Sequence, residues 1–306
     1  MEEGSRRAVA MAFAANLGVA IAKIVGYALT GAASLLAEAV HSVADSGNQL
    51  LLFLGSARAR RPASPEHPFG YAREGYFWAF VVAMVLFTLG SVFAISEGID
   101  KLRHPHTLVS PEWAIGILLI AAMLEGFALR TAVRAARRLK GEQSWWSFIR
   151  HAKVAALPVI LLEDVGALAG LLVALCCVSL AAWTGDPFWD ALGSLIIGVL
   201  LGVIALLLGY EMQSLLIGES ATPEVQDDIR QAIEGHEQVG CLIHIRTQHL
   251  GPDELLVGAK IALDPALRLA EAAAVIDELE REIRRRQPSA RLIYLEPDVY
   301  RPPPAQ

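Results

Sequence analysis

The stretch Leu35–Leu52 reads LLAEAVHSVADSGNQLLL, an apolar run that carries Glu38, His41, Asp45 and Asn48. Their spacing, i, i+3, i+7 and i+10, puts all four on one stripe of a helix. His41 and Asp45 are four apart, so an imidazole and a carboxylate can meet over one turn. An ionisable group inside a bilayer costs roughly 2.5 kcal/mol or more on the insertion scale, so a membrane segment that carries several is expected to use them. An imidazole and a carboxylate one turn apart form half of a tetrahedral site for a divalent cation such as Zn²⁺. The other half must come from a second helix. Leu162-Glu163-Asp164-Val165-Gly166 offers two carboxylates inside another apolar run, with Gly166 and Gly170 permitting close helix approach.

The rest of the chain predicts how these groups are positioned. Its 306 residues are 54% hydrophobic with a net charge of −6. That composition, with repeated apolar runs of about twenty residues, marks an integral membrane protein and gives no support for nucleic-acid binding. Cys176 and Cys177 lie together in an apolar run, and no CxxC pair or disulfide framework is present. Six apolar segments are long enough to span: Ala8–Leu29, Ala33–Leu54, Tyr76–Ile99, Pro111–Ala132, Val154–Thr184 and Phe188–Leu208. The N-terminus has no convincing small-residue cleavage site, so its apolar run reads as the first span and not a removed signal.

Charge fixes the expected orientation. The first, third and fifth connections hold only Lys101 and Arg103, whereas the second holds Arg58, Arg60, Arg61 and Arg73 and the fourth holds seven more from Arg130 to Lys153. With Arg6 and Arg7 on the N-terminus, the positive-inside rule puts both termini in the cytoplasm. The absence of a targeting extension favours a bacterial inner membrane over an organelle. Trp145-Trp146 reads as an interfacial anchor.

Beyond Gly209 the composition changes, giving a six-helix transmembrane domain over 1–213 and a second domain over 214–306. Thr222-Pro223 is a helix start, with Thr as N-cap and Pro in the first turn, followed by an apolar face of Val225, Ile229, Ala232 and Ile233. Cys241, Ile243 and Ile245 alternate with Leu242, His244 and Arg246 as in a strand. Gly251-Pro252-Asp253 is a turn, Leu255–Leu263 a second strand, Leu267–Arg286 a second helix and Arg291–Glu296 a third strand. The order αββαβ suits a small two-layer α+β sandwich of ferredoxin-like or metallochaperone-like type. The Pro-rich tail Arg301–Gln306 reads as frayed.

Taken together, HSxxD at His41–Asp45, HPFGYxRE at His67–Glu74, six spans and an αββαβ tail resemble the cation diffusion facilitator family over nearly the whole chain. The similarity is to its zinc-transporter branch with LLEDxxA on the fifth helix, here Leu161–Ala167. The family builds its transport site from two residues on the second helix and two on the fifth, so the resemblance implies His41, Asp45 and Asp164 as ligands. Most members carry HxxxD or DxxxD on the fifth helix, and here the position four before Asp164 is Ile160. Glu163 is adjacent but points about 100° away on a helix; Glu38, Asn48 or water are the other ways to complete the site. The resemblance also implies a homodimer formed through the second domain, and an ion pair near the entry to the third helix for which Arg73 and Glu219 are the candidates.

Other histidines fit bland roles better. His67, beside Ser64 and Tyr71, reads as a loop residue, although some relatives bind a further metal there. His104-Pro105-His106 reads as a solvated loop. His236, His244, His249, Glu296 and Asp298 read as surface residues of the second domain. One imidazole among carboxylates tilts the ion toward Zn²⁺ without excluding Mn²⁺, Co²⁺ or Fe²⁺. Because a metal requires neutral imidazole, metal and H⁺ compete for one site, which suggests antiport. The leading reading is therefore a secondary transporter exporting a divalent cation, and not an enzyme. Two alternatives are a membrane-anchored metal sensor or scaffold, which would not need intramembrane acids, and an intramembrane hydrolase using His41, Ser42 and Asp45. Ser42 points about 100° from His41 on a helix, and no HExxH or GxSxG accompanies it. No permanent cofactor is expected.

Overall fold

The computed structural model describes residues 17–141, 144–145 and 156–300. The start of the first apolar segment at 8–16, Trp146, the basic connection at 146–155 and the tail at 301–306 lie outside them. Two compact units are formed: one from the described residues through Arg58 together with Glu74–Gln213, the other from Ala59–Arg73 together with the described residues from Ser214 onward. The loop that follows the second helix therefore belongs with the C-terminal unit, not with the helices as the division at 213/214 had it.

The first unit is entirely helical. Its elements are α1 (Leu17–Thr30), α2 (Ala33–Ala59), α3 (Glu74–Arg103), α4 (Pro111–Lys140), α5 (Ala156–Thr184) and α6 (Phe188–Ile217). Long stretches of α3, α4, α5 and α6 are apolar enough to cross a membrane by length and composition. α1 is described over fewer residues, and α2 departs for a chemical reason: it is polar inside and apolar outside. Glu38, His41 and Asn48 are fully buried, whereas Leu50 and Phe53 are more than half exposed. A helix with its polar stripe inward and large apolar side chains outward is matched to a lipid surround, where the hydrocarbon takes the role of the apolar core.

The α1–α2 connection is a two-residue turn that only glycine fits easily. Gly31 sits at φ +67, with its N–H on the Tyr27 carbonyl at 2.7 Å, the left-handed residue that ends a helix. The next helix then begins with amides that Asp190 of α6 satisfies. The Asp190 carboxylate accepts from the Ala33 N–H at 2.7 Å and the Ser34 N–H at 3.2 Å, and also takes the Ser34 hydroxyl. Lys101 of α3 completes the group, placing Nζ 2.7 Å from Asp190 and 2.6 Å from the Gly31 carbonyl oxygen. A carboxylate at a helix N-terminus answers both the orphan amides and the positive end of the dipole. The lysine then balances its charge, so three helices are fixed at one buried point.

α3 is not uniform. Leu86–Val92 is a π-helical turn, where the sequence predicts a plain helix over Tyr76–Ile99. The Thr88 hydroxyl donates to the Met84 carbonyl at 2.9 Å, the back-bonding by which Ser and Thr loosen a helical ladder. Past the π turn, α3 and α6 are joined by the Ser194 hydroxyl on the Ala94 carbonyl at 2.8 Å.

The second unit has the αββαβ order: α7 (Pro223–Glu234), β1 (Val239–Gly251), β2 (Glu254–Leu263), α8 (Leu269–Arg286) and β3 (Ala290–Asp298). The sheet order is β1-β2-β3, antiparallel between the first two and parallel between the last two. Ile229, Ala232 and Ile233 of α7 and Val275, Leu279 and Ile283 of α8 pack with Val257, Ile261 and Ile293 of the sheet. Thr222 and Pro223 start α7 as the sequence indicates, although no side-chain cap bond forms. The β1 alternation differs from the expected one. Leu242, not Cys241 or Ile243, is in the core, because register irregularities at Val239/Cys241 and Leu242/His244 shift the strand's phase, as bulges do.

Asp190→Ala would strand the Lys101 ammonium and strip the α2 amides of their acceptor. Breaking one side of a buried pair costs about 3–5 kcal/mol, so a denaturant titration of the purified protein in detergent is expected to show a loss on that scale. A variant within 1 kcal/mol of the wild type, on the scale used for exposed pairs, would show that the cluster is not structural.

Candidate functional site

α2 delivers His41 and Asp45 together. His41 Nε2 lies 3.4 Å from Asp45 Oδ2, with the imidazole fully buried and the carboxylate 16% exposed. The contact is close enough for an ion pair but is not aligned as a hydrogen bond. His41 Nδ1 and Nε2 and Asp45 Oδ1 are all buried without a hydrogen-bond partner among the described residues. Most buried polar atoms in proteins are satisfied. Three unsatisfied donor atoms on successive turns of one face suit a ligand that supplies positive charge.

α5 delivers Glu163 and Asp164, and the two side chains part company. Glu163 is buried and accepts from Asn48 Nδ2 at 2.7 Å. Asp164 is half-buried and interacts electrostatically with Asp45. Adjacent helical positions diverge by about 100°, and here Glu163 joins α5 to α2 through Asn48 while both acids interact electrostatically with Asp45. Asn48 and Glu163, both suggested as ligands, are thus each other's partners.

Glu38, the other auxiliary suggestion, also has a partner. Lys23 of α1 places Nζ 3.1 Å from Glu38 Oε2 and 2.7 Å from Ser42 Oγ, with both charged side chains at zero exposure. Ser42 is therefore engaged by a lysine, an arrangement at odds with a His41–Ser42–Asp45 nucleophilic triad. A Cβ on Gly170 of α5 would meet Glu38 Oε1, so the Glu38 carboxylate would have to shift.

Sequence reasoning missed four charged residues: Lys23, Lys101, Glu125 and Asp190. The groups each acts on lie elsewhere in the chain, so no local spacing marks these contacts. Half-buried Glu125 of α4 acts electrostatically on His41, Asp45 and Asp164 alike. Among the described residues, no three His, Cys, Asp or Glu side chains are close enough to hold an ion; His41 and Asp45 meet, and Asp164 stands apart from them.

Several other histidines have local partners. His67 is exposed, stacked on Tyr71 with ring centroids 4.5 Å apart, and Ser64 Oγ meets the Tyr71 hydroxyl at 3.1 Å. It lines an open cleft with Glu66, Phe69, Arg73, Gln248 and Leu250. The Glu219 carbonyl oxygen accepts the His249 N–H at 2.8 Å. His104 pairs with Asp100 and His236 with Glu278, each at 3.2 Å. Glu296 and Asp298 share Lys260 at 2.9 and 3.1 Å, and these hydrogen bonds push the Lys260 ammonium up from its usual range.

Comparison with known proteins decides the family. Residues 9–217 match the cation efflux transmembrane domain, and residues 221–298 match the cytoplasmic domain of cation efflux proteins. The chain belongs to the cation efflux family. The human mitochondrial proton-coupled zinc antiporter SLC30A9 is 32% identical over 245 residues, 79% of this chain and 43% of that protein. Metal tolerance protein C4 of Arabidopsis thaliana is 28% identical over 85% of this chain and 57% of its own length. The cation-efflux pump FieF of Pectobacterium atrosepticum is 29% identical over 94% of this chain and 90% of its own. This cation efflux chain thus spans less than half the length of the antiporters it matches and nearly the whole of the pump.

Asn48→Ala would leave Glu163 Oε1 buried without its donor. Hydrogen bonds to charged groups contribute about 1.5–3 kcal/mol, and a loss of that size in the detergent denaturation midpoint is expected. An unchanged midpoint would mean that α2 and α5 are not joined through this contact.

Proposed function

We propose that this protein is a homodimeric secondary transporter that moves a divalent cation, Zn²⁺ foremost, out of the cytoplasm in exchange for H⁺. The observation that carries the reading is the pair His41 and Asp45, buried in a membrane-spanning domain with unsatisfied donor atoms on the same face. Asp164 completes the protein's contribution from α5, and solvent or a shift of α5 toward α2 supplies the rest of the coordination shell. Ile160 stands where relatives carry a fourth ligand, and Glu163 is held by Asn48. One imidazole with two carboxylates suits Zn²⁺ and leaves Mn²⁺, Co²⁺ and Fe²⁺ as further substrates.

Six spans with both termini in the cytoplasm, in a bacterial inner membrane, fit the charge bias of the connections. Alternating access then carries the site between faces as helices rock about a midplane ion. The name of the human relative, a proton-coupled zinc antiporter, supports both the ion and the coupling. His41 gives the coupling a chemical basis, because its nitrogen holds either a proton or the metal. The C-terminal domain supplies the dimer contact, with Arg73 and Glu219 as an ion pair within the second unit.

Proteoliposomes containing the wild type are expected to take up Zn²⁺ faster than Mn²⁺, Co²⁺ or Fe²⁺, and to accelerate when the lumen is made acidic. Asp45→Ala and Asp164→Ala should each cut Zn²⁺ flux to background. Undiminished flux in both variants would remove the site, and indifference to an imposed pH gradient would remove the proton coupling.

A further inference from the structure

A second group of buried polar atoms adjoins His41, and transport by the ligands alone does not account for it. Lys23 is fully buried in α1. Besides Glu38 Oε2 and Ser42 Oγ, its Nζ reaches the Glu38 carbonyl oxygen at 3.5 Å. Glu38 lies one turn before His41 and two turns before Asp45 on the same stripe. Only one of its carboxylate oxygens is taken. Oε1 is buried without a hydrogen-bond donor among the described residues and lies against Gly170 of α5, the helix that carries Asp164. Lys23 also acts electrostatically on His41 and Asp45.

We propose that Lys23 sets ion selectivity by holding Glu38 away from the transported cation. The inference rests on the transport reading above. A carboxylate between the two ligand helices, one oxygen open, is an available ligand unless something else claims its charge. The lysine does so: it is a cation fixed to the chain in the neighbourhood a mobile cation would enter. With Glu38 held, the ion meets one imidazole and the carboxylates of Asp45 and Asp164, a mixed nitrogen and oxygen set suited to Zn²⁺. With Glu38 released, the set gains a further oxygen and shifts toward ions that favour oxygen, Mn²⁺ in particular. A lysine that merely ties α1 to α2 would have no such effect on the ratio of two ions.

The test is parallel Zn²⁺ and Mn²⁺ uptake by proteoliposomes of wild type, Lys23→Met, Lys23→Gln, Lys23→Arg and the double variant Lys23→Met/Glu38→Gln. Removing the charge as Met or Gln is expected to raise the Mn²⁺:Zn²⁺ rate ratio about tenfold, the lower end of what groups beside a metal ligand contribute. Lys23→Arg keeps the charge and should keep the wild-type ratio. The double variant removes the pair as a unit, strands no charge, and should return the ratio to the wild-type value. Wild-type flux with an unchanged ratio in whichever of Lys23→Met or Lys23→Gln folds overturns the inference alone. So does a raised ratio that persists in the double variant, because Glu38 then does not carry it. A wild type that moves no divalent cation overturns the transport reading and this inference with it.

Discussion

A charge held away from water must find a partner within the fold, and that requirement governs how the helices of the first unit meet. α2 concentrates the problem, since its buried face carries Glu38, His41, Ser42, Ser46 and Asn48 while Val43, Leu50 and Phe53 face outward. Each end of the stripe is answered by another helix. Lys23 of α1 takes Glu38, and Asn48 takes Glu163 of α5. At the very start of α2, Asp190 of α6 accepts its first amides with Lys101 of α3 as counter-charge. Lipid offers no solvation to compete with these contacts, so a missing partner there is more damaging than on a water-exposed surface.

The distribution of satisfied and unsatisfied atoms along α2 then separates structure from function. The flanking Glu38 and Asn48 each have one protein partner, with Glu38 Oε1 and Asn48 Oδ1 left unbonded among the described residues. In the centre, both His41 nitrogens and Asp45 Oδ1 have none, although the two side chains touch at 3.4 Å. Polar side chains kept only for packing would be expected to be bonded like their neighbours. Attachments above and below the pair hold it in place, and on the proposed reading leave it open to an ion. Asp164 of α5 and Glu125 of α4 act electrostatically on the same region.

Much of this could be read in the sequence because α-helical period and bilayer cost are both local rules. The stripe Glu38–Asn48 turns inward as its spacing requires, and Glu163 reaches Asn48 across it. The αββαβ order of the second domain follows from turn residues and apolar faces. What stayed hidden depends on contacts distant in sequence. Lys23 and Asp190 each look like isolated charges in apolar runs, and nothing near them in sequence names Glu38 or the α2 amides. The phase of β1 escaped for a related reason: bulges at two places change which side chains face inward, and a bulge is defined by the pairing of two strands rather than by either one. The π turn in α3 had a local signal, Thr88 inside an apolar run, but the hydroxyl's choice of the Met84 carbonyl depends on the helix around it.

The neighbouring acids on α5 show why a sparse ligand set can be an advantage. In the proposed site, a Glu163 drawn off Asn48 to bind the ion would cost α5 that buried attachment, and the ion itself would have to join the two helices. A transporter built that way would hold its cargo as part of its structure, as structural zinc sites do. Here the helices are joined by groups that do not depend on the ion. In the proposed site, an ion held by His41, Asp45 and Asp164 could leave without undoing the packing of the helices that carry them. Separating the contacts that hold the helices from the contacts that hold the cargo allows binding and release to alternate in one fold.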